Sequence, residues 1–193
     1  MKNIGLLGGS FDPPHKGHLY ISVEAKKILR LDEIWWLVAP QNPLKISKPA
    51  TFEERLSNCR NITKNKSIKV LSIEKKIDSK YSYQTINFLQ NYYTNIKFFW
   101  LMGADNLISF HHWQKWRQIF NNISVVVFKR HGYNIKALKS VTSKTFSRFR
   151  IVSTPIHQLQ FKKLPSWTWI NNREIRISST QIRKQRLLLR GKN

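Results

Sequence analysis

An α/β fold on a mostly parallel sheet is what this chain predicts, from two observations. Short apolar runs alternate with segments of helical periodicity, and the 193 residues contain no internal repeat, Gly/Ser linker or low-complexity block. A chain of this length can bury one core without metal or disulfide staples, so one domain over residues 1–193 is the expectation. The elements follow in order. Residues 4–8 are an apolar run ended by Gly8-Gly9, and they read as a first strand rather than a signal peptide because no small-residue cleavage site follows. Residues 17–29 carry Leu19, Ile21, Val23, Ile28 and Leu29 at helical spacing. Residues 33–39 read as a strand, and Pro40, Pro43 and Pro49 punctuate the loop after it. Thr51 suits an N-cap, with Glu53 and Glu54 in the first turn, where carboxylates complement the helix dipole. Residues 69–73 form a strand and 83–93 a helix. Residues 98–102 and 123–128 are strongly apolar strands, and 178–189 a closing helix.

Composition bounds the function. No apolar run reaches the roughly 18–20 residues of a membrane span. The single Cys59 excludes a disulfide framework or a cysteine metal cluster within the chain, so a reducing, cytoplasmic setting is expected. Lys and Arg number 34 against 10 Asp and Glu, a net charge of +24. Beyond Lys97 the only acids are Asp105 and Glu174. Such a balance favours polyanionic partners, whether nucleotides, phosphates or nucleic acid, though a coding bias toward Lys, Ile and Asn would also produce it.

The chemistry is concentrated in Gly8-Gly9-Ser10-Phe11-Asp12-Pro13-Pro14-His15-Lys16-Gly17-His18, between the first strand and the first helix. Open α/β sheets bind ligands at such carboxyl ends of strands. No Gly-Lys-Ser/Thr follows the glycines and Gly-x-Gly-x-x-Gly is absent, so the segment is neither a P-loop nor a dinucleotide fingerprint. The glycines allow backbone N–H groups to approach a phosphate, and the helix N-terminus adds a favourable dipole. His15 and His18 stand at its mouth. The bland alternative is a Pro-rich turn with two surface histidines. Near the other end, Ile177-Ser178-Ser179-Thr180-Gln181-Ile182-Arg183 offers a Ser cap, exposed N–H groups and an arginine one turn in, or simply an ordinary capped helix.

With these two motifs, and with Met102-Gly103-Ala104-Asp105 running on to Phe110-His111-His112-Trp113, the chain resembles the nucleotidylyltransferase superfamily and, within it, bacterial nicotinate-nucleotide adenylyltransferases. The resemblance spans residues 4 to about 186, with 134–170 matched poorly. It implies a single Rossmann-like, doubly wound domain. It also implies attack of the nicotinate mononucleotide 5′-phosphate on the α-phosphorus of ATP, with release of pyrophosphate. That reaction needs positioning and charge neutralisation rather than a covalent nucleophile.

The resemblance implies these roles. His15, His18 and Arg183 are catalytic, with His18 at the α-phosphoryl group. Gly8, Gly9, Ser10 and Phe11 line the ATP site, together with Gly103 and Asp105 at the ribose or adenine. Ile177 and Ser178 also belong to the ATP site, and Ser179 and Arg183 hold the β- and γ-phosphates. Lys45, Thr85, Trp113 and Arg130 are candidates for the substrate: Lys45 and Arg130 at phosphate (or, for Arg130, adenine), Thr85 at the nicotinate carboxylate, Trp113 stacked on the pyridine ring. Each has a plainer alternative. Lys45 and Arg130 would be surface cations, Asp105 a helix cap, and Trp113 part of one helix face with Trp116. No dedicated metal ligand is expected, because Mg²⁺ arrives with ATP on phosphate oxygens and water. Partners are therefore ATP and nicotinate mononucleotide, with non-specific nucleic-acid binding as a side expectation, no membrane, and oligomeric state left open. The rivals are another acceptor on the same fold (nicotinamide mononucleotide, phosphopantetheine, or the substrate of a CTP-using relative) and a basic RNA-binding protein.

Overall fold

Within the strand Ile96–Gly103 (β4), Phe98, Trp100 and Met102 pack into one core cluster while Phe99 and Leu101 pack into another. The two-residue period of a strand sends alternate side chains to opposite faces, so a run apolar at every position must be covered on both. Glu33–Val38 (β2) behaves alike, with Trp35 on one face and Trp36 on the other.

The computed structural model describes residues 1–40, 50–64, 67–152, 155–173 and 176–190. The remaining strands are Lys2–Gly9 (β1), Ile68–Leu71 (β3), Ser124–Phe128 (β5), Arg150–Ile151 (β6) and Trp167–Ile170 (β7). Among the described residues they form a 7-stranded sheet in the order β3-β2-β1-β4-β5-β7-β6, and every pairing is parallel. Lys16–Leu29 (α1) and Phe52–Thr63 (α2) cover one face. The other carries Ile73–Lys76 (α3), Ser82–Tyr92 (α4), Ala104–Ser109 (α5), Trp116–Asn122 (α6) and Asn134–Leu138 (α7). Val141–Thr145 (α8) follows α7, and Ser179–Arg190 (α9) ends the described chain. The doubly wound expectation holds, and the sheet is parallel throughout.

Two details of local chemistry match the expectation. The Thr51 hydroxyl accepts from the Glu54 N–H at 3.2 Å, and Glu53 and Glu54 occupy the first turn of α2. Elsewhere boundaries differ: β3 stops at Leu71, and α4 starts at Ser82 rather than 83. The region 134–170 supplies α7, α8, β6 and β7, none of which the pattern foretells. Elements of 2 to 5 residues are too short to display a period, and β7 lies in a largely buried position beside β5.

The order of strands reverses between β1 and β4. From β1 the chain winds outward through β2 and β3, then returns to β4 on the opposite side. Such a switch leaves a crevice beyond the carboxyl ends of the two strands, where Gly8-Gly9 and Gly103 lie.

Candidate active site

That crevice is a cavity of about 550 Å³. Gly8, Gly9, Ser10 and Phe11 line it from the end of β1, His15 and His18 from the start of α1. A Cβ on Gly8 would stand 2.7 Å from the Trp100 ring, so only glycine lets the strand end lie this close to the aromatic floor. Phe11 follows at φ 49°, a left-handed backbone rare for a bulky residue, with its ring stacked on Trp36 at 4.7 Å.

The two histidines cap α1 reciprocally. His15 Nδ1 accepts from the Gly17 N–H at 3.1 Å, and His18 Nδ1 accepts from the His15 N–H at 3.2 Å. With each Nδ1 used as an acceptor, the proton of each neutral ring resides on Nε2. The rings lie 3.8 Å apart. Burial, followed by the nearby Arg130 charge, pulls the His15 pKa down to about 4 against a smaller opposing pull from Asp105, so His15 is neutral at pH 7. Behind His18, its carbonyl accepts from the Ser22 hydroxyl, which in turn accepts from Trp36 Nε1.

Gly103 and Asp105 face the same space from the end of β4 and the first turn of α5. Asp105 makes no capping bond. Its Oδ2 accepts from Arg130 Nη1 at 2.5 Å, and Arg130 also lines the cavity. Nothing in sequence spacing joins these two candidates, which lie on different elements. A Cβ at Gly103 would lie 2.5 Å from Asp105 Oδ1, so this glycine makes room for the acid.

Ile177, Ser178 and Ser179 complete this side. Ser178 is the cap of α9, its hydroxyl accepting from the Gln181 N–H at 3.1 Å, and Ser179 donates to the Pro13 carbonyl at 2.9 Å. Arg183 does not line the cavity. Its guanidinium donates to the Asp12 carbonyl and to Thr180 Oγ1, and lies 3.5 Å from the Asp12 carboxylate. Its position ties α9 to the β1–α1 segment.

At the far end Trp113 lines the cavity, stacked on Phe110 at 4.6 Å and edge-on to Trp100 at 6.2 Å. It ends the 3₁₀ turn Phe110–His112, whereas Trp116 opens α6, so the two do not share one helix face. Thr85 is not brought to the site. It is fully buried one turn inside α4, with its hydroxyl between Ser79 and Glu74 and its N–H directed at the Tyr81 carbonyl. The cavity is lined instead by Tyr81 and Ser82 at the start of α4, where no side chain caps the helix, and by Glu74. Ser82 ahead of an apolar period is the sequence signal of that start. Lys45 lies outside the described residues.

No helix among the described residues is long and apolar enough to cross a membrane. A family model described as Cytidylyltransferase-like matches residues 6–185. A protein of Ruegeria sp. (strain TM1040) named "Probable nicotinate-nucleotide adenylyltransferase" is 42% identical over 182 residues, 94% of this chain and 96% of that one. One of the same name from Brucella suis is 38% identical over 185 residues, 95% of each. Among solved structures, the Plasmodium falciparum nicotinic acid mononucleotide adenylyltransferase complexed with NaAD has a TM-score of 0.69 at 19% identity, covering 95% of this chain and 83% of that one, a likeness of fold. A cavity at the β1–β4 switch point, two phosphate-suited helix starts and these relatives agree: the chain is a nucleotidyltransferase of the cytidylyltransferase-like family and belongs among the nicotinate-nucleotide adenylyltransferases.

Proposed function

We propose that the chain transfers AMP from ATP to nicotinate mononucleotide, forming nicotinate adenine dinucleotide and pyrophosphate. The observation that carries this reading is a cavity that joins the His15–His18 pair to the Trp113 platform. An acceptor phosphate oxygen attacks the α-phosphorus as the bond to the bridging oxygen breaks, and pyrophosphate leaves with that bonding pair. The acceptor phosphate is ionised at neutral pH, so no base is needed. The Nε2–H groups of His15 and His18 donate to the α-phosphoryl oxygens, and the starts of α1 and α9 receive the remaining phosphate charge. Ser179 meets the β,γ end, while Arg183, outside the cavity, fastens α9 to the β1–α1 segment through Asp12. Asp105, held by Arg130, meets the adenosine side. Magnesium would arrive with ATP, held on phosphate oxygens and water; the carboxylates Asp12 and Asp105 are both engaged by arginine.

The open face of Trp113 takes the pyridine ring, since Phe110 occupies the other. Its carboxylate goes to the uncapped N–H groups at Ser82, in place of Thr85.

The test is pyrophosphate release from Mg·ATP with nicotinate mononucleotide, nicotinamide mononucleotide and phosphopantetheine in parallel. Nicotinate mononucleotide is expected to support turnover best, and release with only another acceptor would overturn the assignment. In the same assay Trp113→Ala is expected to raise the KM of the nicotinate nucleotide about tenfold through loss of a buried stack, leaving the KM of ATP within twofold.

A further inference from the structure

Arg55 belongs to none of the motifs above, yet it is only 1% exposed, and its cation has no carboxylate bonded to it among the described hydrogen bonds. Burying an arginine without an ion pair is costly unless its donors are satisfied. Here backbone carbonyls satisfy them. Nη1 donates to the carbonyls of Ser10 and Ala39, each at 2.7 Å. Nη2 donates to Pro40 at 2.7 Å, and Nε to Ala50 at 3.0 Å. The guanidinium sits 5.6 Å from the Phe52 ring. One planar fork from α2 thus gathers three separate stretches of chain.

Two of its four acceptors, Ser10 and Ala39, line the cavity, at the carboxyl ends of β1 and β2. The same junction is cross-linked twice more: the Ala39 N–H donates to Gly9 at 3.0 Å, and the Ala50 N–H to Asp12 Oδ1 at 3.4 Å. A scaffold could close this corner with neutral groups; a fixed positive charge directly behind the segment from Ser10 to His15 suits a phosphate-binding one.

We infer that Arg55 is a positioning residue for the ATP triphosphate, acting through the Ser10 and Ala39 carbonyls it holds. It presets the β1–α1 segment before ATP arrives, so ordering that segment is not charged against binding. The inference rests on the ATP site of the proposed function. Lysine keeps the charge but offers three donors from one atom, and it cannot reproduce a planar fork across four carbonyls.

The experiment compares wild type with Arg55→Lys, Arg55→Gln and Arg55→Ala. It measures the KM of ATP, the KM of nicotinate mononucleotide and kcat, normalised to the folded fraction from circular dichroism. Dissociation constants for a non-hydrolysable ATP analogue are measured in parallel. Arg55→Lys is expected to raise the ATP KM and the analogue's dissociation constant at least tenfold, with the acceptor KM changed less than twofold. Arg55→Gln is expected to do worse. Millimolar guanidinium should restore part of the analogue affinity to Arg55→Ala and none to Arg55→Lys. Equal loss on both substrates, unchanged ATP parameters, or failure of both Lys and Gln variants to fold would overturn the inference and leave Arg55 a scaffold residue. Absence of turnover in wild type would count against the proposed reaction alone, because the analogue measurement still reads the effect of Arg55.

Discussion

His18→Ala is expected to lower kcat for AMP transfer about 10²–10³-fold, roughly 3–4 kcal/mol, while the KM of ATP stays within a few-fold. The asymmetry follows from where charge grows. In the proposed reaction magnesium and helix N-termini would already offset the triphosphate charge in the ground state, whereas the α-phosphoryl oxygens would gain their need for a donor as the new bond forms. His18 is prepared for that moment: its Nδ1 is fixed by the His15 N–H, and its ring packs against Phe11 at 4.9 Å and Trp36 at 5.9 Å. Alanine also removes the acceptor for the His15 N–H. His18→Asn separates the two effects, because its carboxamide oxygen can cap that N–H without supplying a donor at the Nε2 position. If Asn recovers thermal stability but not kcat, the loss belongs to Nε2–H. Retention of kcat within threefold in both variants would remove His18 from the chemistry.

Glu74→Gln is expected to stabilise the protein at pH 8 by up to about 3 kcal/mol, and to do nothing at pH 4. Glu74 is 6% exposed, and burial drives its pKa up from 4.5 to about 7, with the weak bond from Thr85 pulling the other way. Below about pH 4.5 the carboxyl is protonated in both folded and unfolded chains, so it costs nothing. Between there and pH 7 the unfolded chain ionises while the folded one keeps its proton, so stability falls as pH rises. Above pH 7 the folded protein carries the full penalty, roughly 1.4 kcal/mol for each pH unit that separates the folded and unfolded pKa. Glutamine keeps an acceptor for Thr85 and cannot ionise. In melting temperature the gain at pH 8 amounts to roughly 6–12 °C for a domain of this size. Thermal melts of both proteins at pH 4, 6 and 8 check it, and a difference that does not change with pH would show that ionisation of Glu74 is not its source.

Both residues illustrate how differently sequence and structure speak. His15 and His18 are legible because their spacing, their glycines and the strand–helix junction are local facts, and a capping geometry three residues long is settled within one turn. The α/β class is legible for a similar reason: the short apolar runs at residues 98–102 and 123–128 read as strands between segments of helical period. Glu74 and Arg55 are invisible at that level. An isolated glutamate or arginine in a helix has no local signature, and its meaning depends on which backbone or side chain from another segment meets it.

Thr85 marks the boundary most clearly. Sequence locates the start of α4 to within one turn, but which hydroxyl faces the cavity depends on the phase of α4 against the sheet. Packing of Ile86 and Leu89 into the core sets that phase and turns Thr85 inward. A mostly parallel α/β architecture was legible in the chain's own short-range period and spacing, and the family in the resemblance of its three ordered motifs. Tertiary structure alone decided that Asp105 pairs with Arg130, that Arg183 reaches Asp12 across the chain, and that Ser82 rather than Thr85 opens to the site. Those are contacts between segments, and their energy comes from burial and charge that exist only once the chain has closed on itself.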